Sequence, residues 1–350
     1  MSNIVSVIKL EKVNAKKLQK FIKHWQTIKD LPCDKLVFHK INSSTLKLEI
    51  HYPLNIFDKS VTQFLTVLFG ELSFVTNFGQ VKFIDLKLPR EVYRWFGGPK
   101  FGVEELKKRF NVAKYPMLVA IIKPSLGKEL NIKKINNKIT GVINNGFHAI
   151  KDDEMQGDLK NTPLSIRIKL AKKYRRYIPA VNVDSVVAYK KIMNGKNANK
   201  IGMIIINAST IGFPMLHEIR KITRIPILSH VAMQGVYANS FSPKVFALLH
   251  RLFGCDAYTN PIGDVGYFNV DRKQEKEMAI EFTKNLPIKK TLPLFTGGAR
   301  LNNLRLIIKP YEKLKIPYGV VFGSLIFASE DSPAHMCQKT IKKIREIKGK

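Results

Sequence analysis

The sequence predicts an α/β fold in which a (β/α)8 TIM barrel is preceded by a ferredoxin-like α+β N-terminal domain. Three observations lead to this fold class. Residues 1–112 contain strand-like and helix-like segments in the order βαββαβ, the order of a ferredoxin-like domain. Residues 113–350 repeat a short apolar run and an amphipathic segment eight times, as a (β/α)8 barrel requires. A junction rich in glycine, Phe96–Gly102, separates the two patterns and resembles a linker.

The N-terminal elements are assigned from their hydrophobic periodicity. Apolar and polar residues alternate in four strand candidates, whereas two longer segments repeat apolar residues every three or four positions, as amphipathic helices do. In chain order they are a strand at 4–11, a helix at 14–28, strands at 35–42 and 45–52, a helix at 55–72 and a strand at 80–89. This order predicts one small domain over residues 1–112.

The barrel strands are assigned to short apolar runs that amphipathic segments separate. They lie at 117–122, 147–150, 178–183, 202–206, 226–229, 256–259, 292–295 and 318–322. Active sites of such barrels lie at the C-terminal ends of the strands. We therefore expect the functional side chains of the barrel, residues 113–350, to follow these runs.

Composition narrows the class of protein. With 45% hydrophobic and 25% charged residues, the 350-residue chain has a globular rather than a disordered composition. No apolar run approaches the roughly 18 residues that a membrane helix needs, so we expect no membrane association. The first residues contain no apolar signal core. The three cysteines are far apart, which indicates a cytoplasmic protein without a disulfide scaffold.

The net charge of +32 raises the question of nucleic-acid binding. The lysines are spread along the whole chain in groups of one to three, and no isolated basic tail is present. This distribution favours non-specific binding of polyanions over a dedicated nucleic-acid function. The same positive field also attracts anionic small molecules such as sugar phosphates.

The most distinctive local feature is Lys-Asp-Asp-Glu at 151–154, where the second apolar run of the barrel ends. Alternation along a strand places Lys151 and Asp153 on one side, and Glu154 follows as the loop begins. Two carboxylates at close range repel unless a cation lies between them, and oxygen ligands suit Mg²⁺. A solvated turn in which Lys151 pairs with an acid explains the same four residues, and on these residues alone it is the favoured interpretation.

A series of motifs resembles the large chain of RuBisCO and the RuBisCO-like proteins. KPSLG at 123–127 precedes NNGFHAIKDDE at 144–154, and the order continues with SHVAMQG at 229–235, TGG at 296–298 and FGS at 322–324. GPKFG at 98–102 and TNFG at 76–79 are also similar to family segments. Because the motifs occur in the family order over nearly the whole chain, the sequence is identified as a member of this family. The departures described below identify it as a RuBisCO-like, form IV-like and non-carboxylating member.

The resemblance implies roles for the residues of the matching motifs. Lys151 would take up CO₂ as a carbamate and bind Mg²⁺ together with Asp153 and Glu154. Lys123 would move protons at the substrate, and His230 would face the substrate from the fifth strand. These roles make Lys123, Lys151 and His230 the expected catalytic residues.

The resemblance also implies a phosphate site and a homodimer. The expected phosphate-binding residues follow the seventh and eighth strands: Thr296, Gly297, Gly298, Gly323 and Ser324. Arg300, just after the Thr-Gly-Gly turn, is a further candidate for that site. In the family, the N-terminal domain of one subunit closes the barrel of the other, so Asn77 would reach the neighbour's site.

Departures from the family motifs argue against carboxylation. Ser125 replaces a lysine, Val231 replaces the arginine that grips a second phosphate, and Gln234 replaces a histidine. The segment 259–268 contains no lysine or arginine, although a carboxylase carries there the lysine that stabilises the new carboxylate. Asp264 in that segment would repel the new charge.

The resemblance, together with these departures, therefore implies a Mg²⁺-dependent enolase or isomerase. It would act on a keto-sugar phosphate, including thiomethyl sugars of methionine salvage, through proton abstraction by Lys123 and stabilisation of an enediolate. The loss of the arginine at Val231 favours a substrate with one phosphate. The alternative is a protein that has lost turnover and binds polyanions through its basic surface, and ribulose-bisphosphate carboxylation is the least favoured activity.

Overall fold

Two β-sheets organise the chain in the computed structural model. The structure describes residues 3–13, 16, 18, 20, 33–42, 44–70, 72, 79–122, 131–193 and 198–349. Lys123 and Asn77, two of the predicted site residues, lie outside the described residues, and so does most of the predicted helix at 14–28. No helix in the described ranges combines the length and apolar character needed to cross a membrane.

The N-terminal sheet has four antiparallel strands in the order β2–β3–β1–β4. The strands are β1 Asn3–Glu11, β2 Lys35–Lys40, β3 Thr45–Pro53 and β4 Gln80–Lys87. Alternate residues of β1, among them Ile4, Ile8 and Leu10, are buried. They face helix α1, Val61–Phe69, whose first turn is capped by the Ser60 hydroxyl accepting from the Gln63 N–H at 3.1 Å. The sheet order confirms the ferredoxin-like α+β plan.

The second sheet consists of eight parallel strands and confirms the barrel. In chain order they are β5 Met117–Ile122, β6 Ala149–Asp152, β7 Tyr177–Ile178, β8 Ile204–Ile206, β9 Ile227–Ser229, β10 Ala257–Pro261, β11 Leu292–Thr296 and β12 Gly319–Phe322. Their order is β7–β6–β5–β12–β11–β10–β9–β8. The cycle closes beyond β7, where the N–H of Val181 donates to the carbonyl of Ile205 at 2.9 Å.

Helices follow the strands, as the amphipathic segments predict. Their bounds are α2 Arg90–Phe96, α3 Gly102–Arg109, α4 Ile132–Ile143, α5 Leu164–Lys173, α6 Val186–Met193, α7 Ala208–Ile211, α8 Phe213–Ile222, α9 Gln234–Tyr237, α10 Pro243–Leu252, α11 Arg272–Thr283, α12 Leu304–Leu314, α13 Ser324–Phe327 and α14 Pro333–Lys348. In α10, the Ser242 hydroxyl accepts from the N–H of Val245, which fixes the start of the helix.

Asp256, immediately before β10, ties the junction between the sheets to the barrel. Its fully buried carboxylate accepts from the N–H groups of Phe101 and Gly102 at 2.7 and 2.9 Å and from Arg220 at 2.8 Å. The paired charge and the two amides offset the cost of burying the carboxylate. This contact holds the 96–102 segment against the barrel, while the domain limit at 112/113 stays a prediction.

Candidate active site

Strand β6 leads into the Lys-Asp-Asp-Glu motif at the mouth of the barrel. Asp152, the second residue of this motif, anchors the strand on the side that faces away from Lys151. Asp152 is fully buried and accepts from Arg167 at 2.6 Å, from the hydroxyl of Tyr177 and from the N–H of Ala180 at 3.0 Å. Burial raises the pKa of this carboxyl, and the Arg167 guanidinium opposes that rise. Because neighbouring strand residues face opposite sides, this anchor fixes Lys151 on the other side of the strand.

Lys151, Glu154 and His230 form a connected group. The ammonium of Lys151 is fully buried, donates to the carbonyl of Asp152 at 2.8 Å and lies 3.6 Å from Glu154 Oε2. The same carboxylate oxygen lies 3.2 Å from His230 Nε2. Glu154 is the most exposed member, with 30% of its side chain accessible. The group therefore reaches from the barrel interior to its mouth.

Burial sets the protonation of the two basic groups. It lowers the pKa of Lys151 even though Glu154 and Asp153 act in the opposite direction. It also lowers the pKa of His230 well below its ordinary value, with the charge of Lys151 as a second cause. The N–H of Ala232 donates to His230 Nδ1 at 3.1 Å, so the proton of the neutral ring is on Nε2 and points to Glu154.

Two asparagines from neighbouring strand ends fix the backbone of Glu154. The side-chain amides of Asn182 and Asn207 donate to its carbonyl at 3.0 and 3.1 Å. The N–H of Asn207 also donates to Asn182 Oδ1 at 3.3 Å. Asp153 is nearly buried, and its Oδ1 accepts from the N–H of Met155 at 3.1 Å. Side chains that follow the third and fourth barrel strands thus hold the backbone of Glu154 at the barrel mouth.

A cavity of about 510 Å³ lies above these residues. It brings together eight of the residues singled out from the sequence: Asp153, Glu154, His230, Thr296, Gly297, Gly298, Gly323 and Ser324. Arg300 and Lys138 also line it and supply positive charge. Lys138 lies on α4, and its ammonium is 5.2 Å from the centre of the Phe327 ring.

The Gly297–Gly298 turn requires glycine because both residues have positive φ, +96° and +103°. A Cβ at Gly297 would be 2.2 Å from Cε2 of Phe268. Phe268 and Tyr267 belong to the loop after β10, and the N–H of Tyr267 donates to the Gly297 carbonyl at 3.2 Å. The turn and the loop therefore form one wall of the cavity.

The donor set fits a hard divalent cation if Lys151 carries a carbamate. Asp153 and Glu154 supply carboxylate oxygens, and Lys151 is close enough to Glu154 for the two side chains to bind the same metal ion. An unmodified lysine cannot ligate a metal, whereas a carbamate adds a third anionic oxygen donor. Over the described residues, no group of three His, Cys, Asp or Glu side chains is arranged to hold a metal.

The cavity also includes residues that sequence reasoning did not select as functional. Lys138 lies within an amphipathic helix, at a position where the helical periodicity predicts a side chain that faces solvent. Tyr267 and Phe268 follow the sixth barrel strand, in a segment that stands out in the sequence only because it contains no lysine or arginine. Their proximity to the Thr-Gly-Gly turn is a tertiary contact that no local pattern indicates.

The chain is similar in sequence to proteins of known name. No family model matches the chain. It is 27% identical over 314 residues to a 2,3-diketo-5-methylthiopentyl-1-phosphate enolase from Bacillus cytotoxicus, covering 81% of this chain and 72% of that protein. It is 29% identical over 315 residues to the protein of the same name from Bacillus cereus strain AH820, covering 81% and 73%.

Solved structures share the fold. A RuBisCO-like protein from Alicyclobacillus acidocaldarius has a TM-score of 0.82 at 19% identity, covering 99% of this chain and 94% of that one. RuBisCO from Pyrococcus horikoshii has a TM-score of 0.87 at 17% identity, covering 99% and 88%. Both superpositions include the α+β unit and the barrel, so the whole architecture is shared.

Proposed function

We propose that this chain, which belongs to the RuBisCO superfamily as a RuBisCO-like protein, is a Mg²⁺-dependent enolase of the methionine-salvage type. Its substrate would be a keto-sugar phosphate such as 2,3-diketo-5-methylthiopentyl 1-phosphate, which the names of the similar Bacillus proteins specify. The observation that carries the proposal is that Asp153, Glu154 and His230 line the same cavity as the glycines that follow β11 and β12.

The metal would be held by Asp153, Glu154 and a carbamate on Lys151. Carbamate formation requires a neutral amine to react with CO₂, and burial lowers the pKa of Lys151 in that direction. When bound, Mg²⁺ would polarise the substrate carbonyl and stabilise the negative charge that enolisation places on its oxygen. The carboxylate of Glu154 also accepts from neutral His230, which orients the imidazole toward the cavity.

Lys123 is the residue we propose as the base that removes the α-proton. It directly follows β5, which pairs in register with β6 next to Lys151. A free lysine with a pKa near 10.4 would be almost fully protonated at neutral pH. A base at this position therefore needs an environment that favours its neutral form, as a buried site with a nearby cation provides.

The phosphate would bind at Thr296, Gly297, Gly298, Gly323 and Ser324. Arg300 and Lys138 line the same cavity and add positive charge. The segment 259–268 carries no lysine or arginine to stabilise a new carboxylate, which supports enolisation without carboxylation. The proposed chemistry is therefore the proton transfer alone.

We further propose a cytoplasmic homodimer in which Asn77 of each subunit completes the site of the other. The three cysteines are free, which supports a reducing compartment. The net charge of +32 supports attraction of phosphorylated substrates and, as a secondary property, non-specific binding of polyanions.

Proton exchange tests the proposed activity. The protein, with Mg²⁺ and bicarbonate, is incubated in D₂O with 2,3-diketo-5-methylthiopentyl 1-phosphate, and deuterium incorporation is followed by NMR. We expect exchange and formation of the enol product, with a loss of roughly 10²- to 10⁴-fold in Lys123→Met because a general base contributes about that much.

Lys134→Met is the matched control because Lys134 is an exposed lysine of α4 outside the cavity. It should retain the wild-type rate. Absence of exchange in the wild type, or equal rates in the two variants, would contradict the proposed function. Far-UV circular dichroism of each variant checks that the fold is retained.

A further inference from the structure

A second cavity adjoins the catalytic group. It shares Glu154, His230 and Phe268 with the larger cavity. Its remaining wall is formed mainly by apolar side chains: Val231, Ala232, Met233, Ala238, Pro261 and Val270. The two cavities therefore meet at Glu154, His230 and Phe268.

The two cavities differ in charge. The larger one is lined by Lys138 and Arg300, whereas no lysine or arginine is among the described residues lining the second. Gln234 lines the second cavity, but its amide is occupied elsewhere: Oε1 accepts from the hydroxyl of Tyr258 at 2.9 Å, and Nε2 lies 3.3 Å from Met278 Sδ. The second cavity is thus suited to an uncharged, apolar group.

Phe268 lines both cavities. Its ring lies against Gly297 so closely that a Cβ there would overlap it. Its position is also restrained through its loop, because Asn303 Nδ2 donates to the carbonyls of Val265 and Gly298 at 3.2 and 2.8 Å. A substrate that spans both cavities would therefore lie close to this ring.

The second cavity has a volume of about 270 Å³. A water molecule takes about 30 Å³ in the liquid, so the cavity has room for several heavy atoms more than a methylthio group contains. We propose that the second cavity binds the apolar end of the substrate, beyond the reacting carbons, and accepts tails longer than one methylthio group. This inference rests on the proposed function, which places the phosphate in the larger cavity.

Binding of unreactive alkyl phosphates tests the inference. Propyl, hexyl and octyl phosphate are titrated into the full chain with Mg²⁺ and bicarbonate, and the Kd is measured by calorimetry. Each fully buried methylene contributes about fourfold in affinity, so burial of only two of the extra methylenes of octyl phosphate should make it bind at least about tenfold tighter than propyl phosphate. Propyl phosphate is the short reference ligand.

Gly235→Leu is designed to fill the second cavity, because Gly235 lines that cavity and a Cβ there would have no heavy atom within 4 Å. It should bring the ratio of the propyl and octyl Kd values close to one. Gly141→Leu is the matched control, since Gly141 lies on α4 away from both cavities and its Cβ is equally unobstructed. It should keep the wild-type ratio.

The outcomes separate this inference from the proposed function. Equal affinities for the three phosphates, equal ratios in the two leucine variants, or no binding at all would overturn the inference. A tail-dependent affinity that Gly235→Leu abolishes supports it. If that affinity is found but no proton exchange occurs with the diketo phosphate, the proposed function fails while the apolar binding site stands.

Discussion

Asp152, Asp153 and Glu154 are consecutive acids with different structural roles. Alternation along the strand predicts that Asp152 faces away from Lys151 and Asp153, and the contact of Asp152 with Arg167 agrees. Whether Lys151 is exposed or buried could not be predicted from the sequence, because a solvated turn and a metal site use the same residue types. The complete burial of its ammonium, which depends on the surrounding strands, excludes the solvated turn.

The buried side chain of His250 should make the free energy of unfolding depend on pH. Burial lowers its pKa to about 3, and its Nδ1 lies 3.0 Å from the hydroxyl of Ser229. The unfolded chain binds the proton below pH ~6.5, whereas the native state does not, so acidification favours unfolding. Between pH ~6.5 and ~4, this residue should lower the free energy of unfolding by about 1.4 kcal/mol per pH unit.

Urea unfolding of the wild type and His250→Gln across that pH range isolates this contribution. The wild type should lose more stability on acidification than the variant, by the slope given above. Parallel pH profiles for the two proteins would show that His250 is not held neutral by the fold.

At the scale of elements, the strand ends were the most predictable part of the site. The motifs at 151–154 and 296–298 follow apolar runs, and parallel strands bring their C-terminal ends together. The loop after β10 was not predictable in the same way. Its conformation depends on buried Glu275, which accepts from the N–H of Gly263 and from Arg272, and these partners converge only in the folded chain.

Asn303 is the residue that joins this loop to the glycine turn. Besides donating to Val265 and Gly298, its Oδ1 accepts from the N–H of Arg300 at 2.8 Å. In Asn303→Ala, affinity for inorganic phosphate should fall roughly tenfold, because the loss of one or two net hydrogen bonds of about 1 kcal/mol each loosens the turn. Calorimetric titration of phosphate measures the change.

Asn302→Ala is the control for this prediction. Asn302 is exposed, adjoins Asn303 and does not line the larger cavity. Its substitution should leave the phosphate Kd within error of the wild type. Equal Kd values for the Asn303 variant and the wild type would exclude a positioning role of Asn303.

At the scale of the whole molecule, periodicity alone was sufficient for the fold class. The switch from a βαββαβ order to repeated strand–helix units predicted both sheets. Elements with one apolar face can bury that face in only a few arrangements, and each order of elements is typical of one of them. Sequence reasoning could not predict that a second, uncharged cavity adjoins the site. That cavity is formed where loops after β9 and β10 meet, and its shape depends on packing rather than on any local pattern.

The most direct test of the assembled metal site is a search for the carbamate on Lys151. The protein is incubated with ¹³C-bicarbonate with and without Mg²⁺, and the carbamate carbon is observed by NMR. We predict a Mg²⁺-dependent signal that Lys151→Met abolishes and that Lys138→Met, a substitution of a lysine that lines the larger cavity, retains. Absence of the signal in the wild type at saturating Mg²⁺, or its persistence in Lys151→Met, would contradict the proposed site.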